Sequence, residues 1–186
     1  MINLNSENKE FLDVVNEEDV VIESRLRSEI HQLGLLHREV HVWLFDKDKN
    51  LYFPKSAAHK SSAGLFDASI GGHVDKDEDY ITAAVRETKE ESGISVSPED
   101  LCLLIKFRGL SEHKHRAKIN NFTRSVYIYK KSITEVEIKA DPKETDGFNK
   151  FSFEFLSNLK KEDMSLFHRF VPTHELPHVL NYLKNI

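Results

Sequence analysis

The chain has 186 residues, 39% hydrophobic and 31% charged, with a formal net charge of −5 at pH 7. That length suits one domain with a real core, and the absence of a basic excess excludes a protein built to grip a nucleic-acid backbone. The single cysteine, Cys102, excludes an internal disulfide framework, while the acidic start MINLNSENKEFLDVVNEEDVV and the lack of a spanning apolar run lead us to expect a soluble, cytoplasmic protein.

Residues 11–15 and 20–21 read as short strands around the polar turn 16–19. Residues 24–32 read as a helix ending near Gly34. Residues 40–45, VHVWLF, make a strong strand; after the charged turn 46–50, residues 51–53 resume the sheet, so the pair is expected to form a hairpin. A loop of Ser, Ala, Lys and His covers 56–66, and 67–72 leads into a helix. Residues 80–92 contain no Pro or Gly and place Ile81, Ala84, Val85 and Thr88 at i, i+3, i+4 and i+7, the buried stripe of an amphipathic helix. Asp77 is the expected N-cap and Gly93 the left-handed stop. Further on, 94–96 reads as a strand, 97–100 as a turn, and 101–107 and 125–129 as strands separated by a polar, basic loop at 111–121. A weaker strand is expected at 135–139 and an alternating one at 151–155, followed by terminal helices over 157–170 and 176–186. Trp43 and the phenylalanines fall to the core. Strands and helices interleave without a regular βαβ repeat, which predicts an α+β fold with a mixed sheet flanked by helices.

On the helix at 80–92, Glu87, Glu90 and Glu91 stand at i, i+3 and i+4 on a face of their own, with Arg86 at its edge. Three such carboxylates repel one another unless a cation sits among them. Their hard oxygens suit Mg²⁺ or Mn²⁺. The longer segment 72–94, GHVDKDEDYITAAVRETKEESGI, fits the pattern G-x5-E-x7-R-E-U-x-E-E-x-G-U through Gly72, Glu78, Arg86, Glu87, Glu90, Glu91, Gly93 and Ile94. Thr88 departs from it, standing where an aliphatic residue is usual; its methyl can still face a core.

On these residues the chain resembles the Nudix hydrolase family. The flanks, LHREVHVWLFDKDKNLYFPK and GLFDASIGGHV, resemble a branch close to isopentenyl-diphosphate isomerase. The resemblance implies a single domain over 1–186, an α/β/α sandwich with its core at about 36–156, an N-terminal extension (1–35) and a C-terminal helical segment (157–186). It implies that Glu87, Glu90 and Glu91 hold the metal with the Gly72 carbonyl, and that Arg86 and Glu78 brace the loop and helix. The implied reaction is attack of water on a phosphorus of a small diphosphate substrate of the nucleoside-diphosphate-X class. Glu90, Glu91 or a residue of a distant loop would take the proton, Glu144 in DPKETDG being one candidate.

Lys55 and Lys60 stand where related enzymes place phosphate-binding cations, and His37 and His73 match two histidines that bind metal in the isomerase. The loop carrying His113, Lys114, His115, Arg116 and Lys118 could reach a phosphate, or be a solvated charge run. Gly71 occupies the position of the isomerase's catalytic cysteine, and 121–126, NFTRSV, has no acid where the isomerase has its glutamate. Isomerisation needs a proton donor and acceptor on opposite faces of an alkene, so hydrolysis is the better reading. The alternatives are an isomerase-like or prenyl-diphosphate-acting enzyme and a catalytically silent nucleotide-binding module. The expected partner is a small molecule, with no nucleic acid and no membrane; homodimers are common among such relatives.

Overall fold

In chain order the elements are β1 (Phe11–Val15), β2 (Val21–Leu26), α1 (Arg27–Leu33), β3 (Leu36–Trp43), β4 (Leu51–Ser56), β5 (Ile70–His73) and α2 (Tyr80–Ser92). They continue with β6 (Leu101–His113), β7 (Lys118–Tyr129), β8 (Thr145–Phe151), α3 (Phe153–Ser157) and α4 (Leu176–Lys184). This computed structural model describes residues 10–56, 64–113, 118–135, 138–139 and 145–186.

Strand β3 is the axis. One side pairs in parallel with β7, from Leu36 opposite Asn121 to Trp43 opposite Ile128. Its other side is shared: β1 meets its start at His37, and β5 runs antiparallel to Glu39–Val42. β2 and β6 complete the order β2-β1-β3-β7-β6, with β5 lying on β3 beside β1. Side chains alternate across β3 with period two. Val40, Val42 and Leu44 pack with Ile70 and with Ala83 and Ala84 of α2, whereas Trp43 and Phe45 pack with Val126, Ile128 and, from α4, Leu176, Val179 and Leu183. Helices therefore cover both faces of a mixed sheet, the layered α+β architecture expected. Among the described residues, no helix is long and apolar enough to cross a membrane.

Several local expectations fail where a distant partner outweighs local preference. Residues 24–26 are strand, because β2 pairs with β1 as far as Leu26 opposite Phe11; the helix starts only at Arg27. The expected β3–β4 hairpin reduces to a bridge between Phe45 and Leu51. β4 instead pairs with β8 in a second, two-stranded sheet, where Phe53 packs edge-on against Trp43 and Phe151. The loop expected at 111–121 is largely strand, since β6 and β7 pair out to His113 and Lys118. Residues 94–96 are not a strand; Ile94 and Val96 pack against the α2 core without pairing. At 151–155 the alternation gives way to α3 because Ser152 caps it, accepting from the Phe155 amide (3.1 Å). No single helix fills 157–170: α3 ends at Ser157, a 3₁₀ turn covers Asp163–Leu166, Phe167 bridges to Phe66, and Phe170 opens the helical stretch that follows. None of the described residues of 135–139 is in a strand.

Helix α2 spans the expected residues, and Gly93 ends it with φ 74°. Its cap is Asp79, not Asp77: the Asp79 carboxylate accepts from the Thr82 amide (2.9 Å). Asp77 is instead a turn residue with φ 63°. The stripe is centred on Ala84 and Thr88, which are fully buried with Ala83 and Ser92, while Ile81 and Val85 are half-buried at its margin.

Candidate metal and substrate site

Helix α2 lays its carboxylates along the free edge of β5. Gly72 is glycine for a steric reason: a Cβ there would overlap the Glu87 carboxylate. Burial drives that carboxyl up to about 7, aided by Glu90 and Asp75 and opposed by Arg86. Glu91 Oε2 accepts from the Gly71 amide (3.1 Å), and the Glu90 side chain is far more exposed than that of Glu87, 59% against 13%. Arg86 ties the group together. It donates to both oxygens of Glu78 (3.1 and 2.8 Å), to Glu87 (2.8 Å), to Glu90 (3.3 Å) and to the His73 carbonyl (2.9 Å). One guanidinium thus faces an excess of carboxylates. The donor set around Gly72 is all oxygen, which suits a hard divalent cation.

The opposite face of the same strands carries imidazoles. His37 and His73, with His31 from α1, bring one ring nitrogen each to within 4.8 Å of one another. His73 Nε2 and His31 Nε2 are 3.2 Å apart, near the ~3.3 Å between two nitrogens on one tetrahedral zinc. His37 donates from Nδ1 to the Leu35 carbonyl (3.0 Å), leaving its Nε2 lone pair buried without a hydrogen-bond partner among the described residues. Burial lowers all three, His31 to about 4, so the rings are neutral and able to act as ligands.

Beside this trio runs a buried charge network. Arg124 on β7 donates to Glu39 (2.6 and 3.1 Å) and to Glu175 (2.9 Å), with its guanidinium over the Phe122 ring at 4.2 Å. Glu175 comes from a π-helical turn, Val171–Glu175, that precedes α4, and it also accepts from His41 Nδ1 and Trp43 Nε1. Burial raises Glu39 and Glu175, but Arg124 on the first and His41 with Arg124 on the second more than offset it, so both stay ionised. At Gly71, which faces His41 across the strand pair, a Cβ would lie 2.8 Å from Nε2 and Cδ2 of the imidazole.

Of the residues expected from sequence, Gly72, Glu78, Arg86, Glu87, Glu90 and Glu91 come together, and His37 meets His73. Lys55 is exposed on β4, in the second sheet. Lys60 and Glu144 lie outside the described residues, as do Lys114, His115 and Arg116. Sequence reasoning missed His31, Glu39, His41, Arg124 and Glu175. Alternation in LHREVHVW puts His37, Glu39 and His41 on the face of Trp43, and that signal was available; no local pattern pointed to Glu175.

A family model for the NUDIX domain matches residues 35–172. The chain is 35% identical over 126 residues to an uncharacterised Nudix hydrolase of Clostridium acetobutylicum, covering 65% of this chain and 59% of that protein. It is 38% identical over 87 residues to an isopentenyl-diphosphate Delta-isomerase of Serratia proteamaculans, covering 46% of this chain and 49% of that one. The matches thus span about half to three-fifths of these curated relatives. Among solved structures, DR0079 from Deinococcus radiodurans superposes with a TM-score of 0.61 at 25% identity, over 81% of this chain and 88% of that one.

Proposed function

The chain belongs to the Nudix hydrolase family, and we propose that it cleaves a diphosphate linkage in a small nucleoside-diphosphate-X substrate, using Mg²⁺ or Mn²⁺ at the α2 carboxylates. The observation that carries this reading is Glu87, pressed under Gly72 and pushed up to about 7 by burial, beside Glu90 and an Arg86 already engaged with Glu78. A carboxylate cluster so short of positive charge is completed by a hard cation. Glu87, Glu90 and Glu91 would hold it, with the Gly72 carbonyl. Bound there, such an ion supplies charge stabilisation at the phosphoryl oxygens and a lowered pKa for an attacking water. Arg86 and Glu78 keep Glu87 in place, and the exposed Glu90 can accept the water's proton.

A second reading, an isoprenoid-diphosphate isomerase, draws on the similarity to the Serratia enzyme and on the imidazole trio, which we propose as a second cation position. Gly71 opposes the isomerase reading. It brings no thiol, and His41 fills the space that a side chain there would need.

The test is a phosphate- and nucleotide-release screen over nucleoside triphosphates, nucleotide sugars, ADP-ribose, dinucleoside polyphosphates, CoA and prenyl diphosphates, each with Mg²⁺ and Mn²⁺. Metal-dependent release from at least one nucleotide class is expected, with none after Glu91→Gln. Formation of an isomer from isopentenyl diphosphate, followed by NMR, would establish the second reading instead. Nucleotide protection against unfolding without turnover would replace both with a silent binding module.

A further inference from the structure

Glu175 and His41 have no part in the reaction proposed above, yet they are among the most tightly held groups in the molecule. Glu175 is 0% exposed. Its two oxygens accept from His41 Nδ1 at 2.9 and 3.0 Å, from Trp43 Nε1 at 3.1 Å and from Arg124 at 2.9 Å. Arg124 is in turn fixed by Glu39. An imidazole bonded at Nδ1 to such a carboxylate cannot swing aside. Its other edge lies against Gly71, where a Cβ would come within 2.8 Å of Nε2 and Cδ2. The amide of that same glycine holds Glu91 Oε2 at 3.1 Å.

We propose that Glu175 and His41 are positioning residues of the metal site: they buttress β5 at Gly71 from behind, and so aim the amide that orients Glu91. The inference rests on Glu91 being a metal ligand, as read above. Its physical basis is the weakness of β5 itself. The strand has four residues, pairs with β3 on one side, and carries consecutive glycines at its centre. Glycine pairs leave the backbone many conformations, and an edge strand has no second neighbour to select one. The pinned imidazole supplies the surface that Gly71 lacks. Mg²⁺ demands near-ideal octahedral geometry, so a small drift of the Gly71 amide reaches the ligand oxygen directly. The contact also gives Gly71 a reason to be glycine that is independent of turn or left-handed geometry.

Mn²⁺ binding to the intact chain, resolved site by site by calorimetry and by electron paramagnetic resonance of the free ion, tests this apart from turnover; the α2 site is the binding step that Glu91→Gln is expected to remove, and the affinities below are those of that step. Thermal melts of every variant are recorded alongside. His41→Ala and Glu175→Ala are expected to weaken Mn²⁺ binding by roughly tenfold, as loss of a group supporting a metal ligand does. Glu175→Gln, which keeps an acceptor for Nδ1, is expected to recover most of that loss. Gly71→Ala is expected to weaken binding at least as much, because the added Cβ meets the fixed ring. The double variant Gly71→Ala/His41→Ala, whose new methyl enters the space left by the ring, is expected to bind better than Gly71→Ala alone; it decides the matter even if a single variant folds poorly. Additive losses in the double variant, or Mn²⁺ affinity unmoved in His41→Ala and Glu175→Ala while Glu91→Gln abolishes it, would overturn the buttress and leave the metal site standing. Unchanged affinity in Glu91→Gln would remove the metal-site reading, and the buttress with it.

Discussion

On the α2 side of the sheet, one arginine serves carboxylates that are its neighbours in sequence: Arg86 bonds Glu78, Glu87 and Glu90, and its side chain is 27% exposed. Across the sheet, Arg124 also bridges carboxylates, but its partners Glu39 and Glu175 lie 85 and 51 residues away, and it is 5% exposed. The first cluster is overloaded with negative charge and reaches solvent. The second pairs two carboxylates with one buried guanidinium and fills the remaining Glu175 acceptors from the His41 imidazole and the Trp43 indole. Frustration is tolerable at the surface because water and a captured cation relieve it. In the interior an unbalanced charge would cost several kcal/mol, so the buried set has to close on itself.

That contrast makes the two arginines and their partners answer to different measurements. The largest effect belongs to the patterned segment 72–94, the Nudix box. Glu90→Gln and Glu91→Gln are expected to lower turnover on the order of 10²–10⁴-fold, with melting temperature nearly unchanged; retained activity in both would remove the assignment.

Next comes Arg124→Ala, which strands Glu39 and Glu175 in the interior and should destabilise the fold by about 3–5 kcal/mol in denaturant titrations. Arg86→Ala, with solvent at hand, should cost about 1 kcal/mol or less in stability while damaging turnover. The reverse ranking would show that the box, and not the buried network, carries the structural load.

Acid probes the same network. Burial raises the Glu175 carboxyl, but His41 and Arg124 more than offset this and hold it at about 2 in the folded chain, against an ordinary 4.5. As pH falls, the unfolded chain takes up this proton first. The stability that Glu175 contributes is therefore complete above about 4.5 and is lost as pH falls towards 2, roughly 3 kcal/mol in all. Glu175→Gln should start less stable at neutral pH and lose less over that interval, which equilibrium denaturation at stepped pH would show.

The smallest effect concerns the helix cap. Asp79→Ala should cost about 1 kcal/mol by removing the acceptor for Thr82, whereas Asp77→Asn, which keeps a residue suited to φ 63°, loses no cap. Equal costs would contradict the placement of the cap at Asp79.

How legible each region was follows from the same contrast. Helix α2 could be read end to end because its determinants are local: an unbroken run from Tyr80, a stripe through Ala84 and Thr88, and a left-handed Gly93. The cap was missed by two residues, since Asp77 and Asp79 are equally good acceptors in sequence and only the turn at Asp77 separates them. Residues 24–26 read as helix, yet β1 recruits them into a strand. Residues 51–53 read as half of a hairpin, yet β8, about a hundred residues on, takes them away. In each case the competing partner is invisible to a local window.

Sequence alone sufficed for the mixed α+β class, for the Nudix box and for the grouping of Glu87, Glu90 and Glu91 on one face, because helical periodicity turns spacing directly into proximity. Three other features needed the folded chain. His31 had to meet His37 and His73, Glu175 had to arrive from the C-terminal turn to pin His41, and Gly71 had to lie against that ring. These contacts join β3, β5, α1 and the turn before α4, and they are set by strand pairing and burial rather than by distance along the chain.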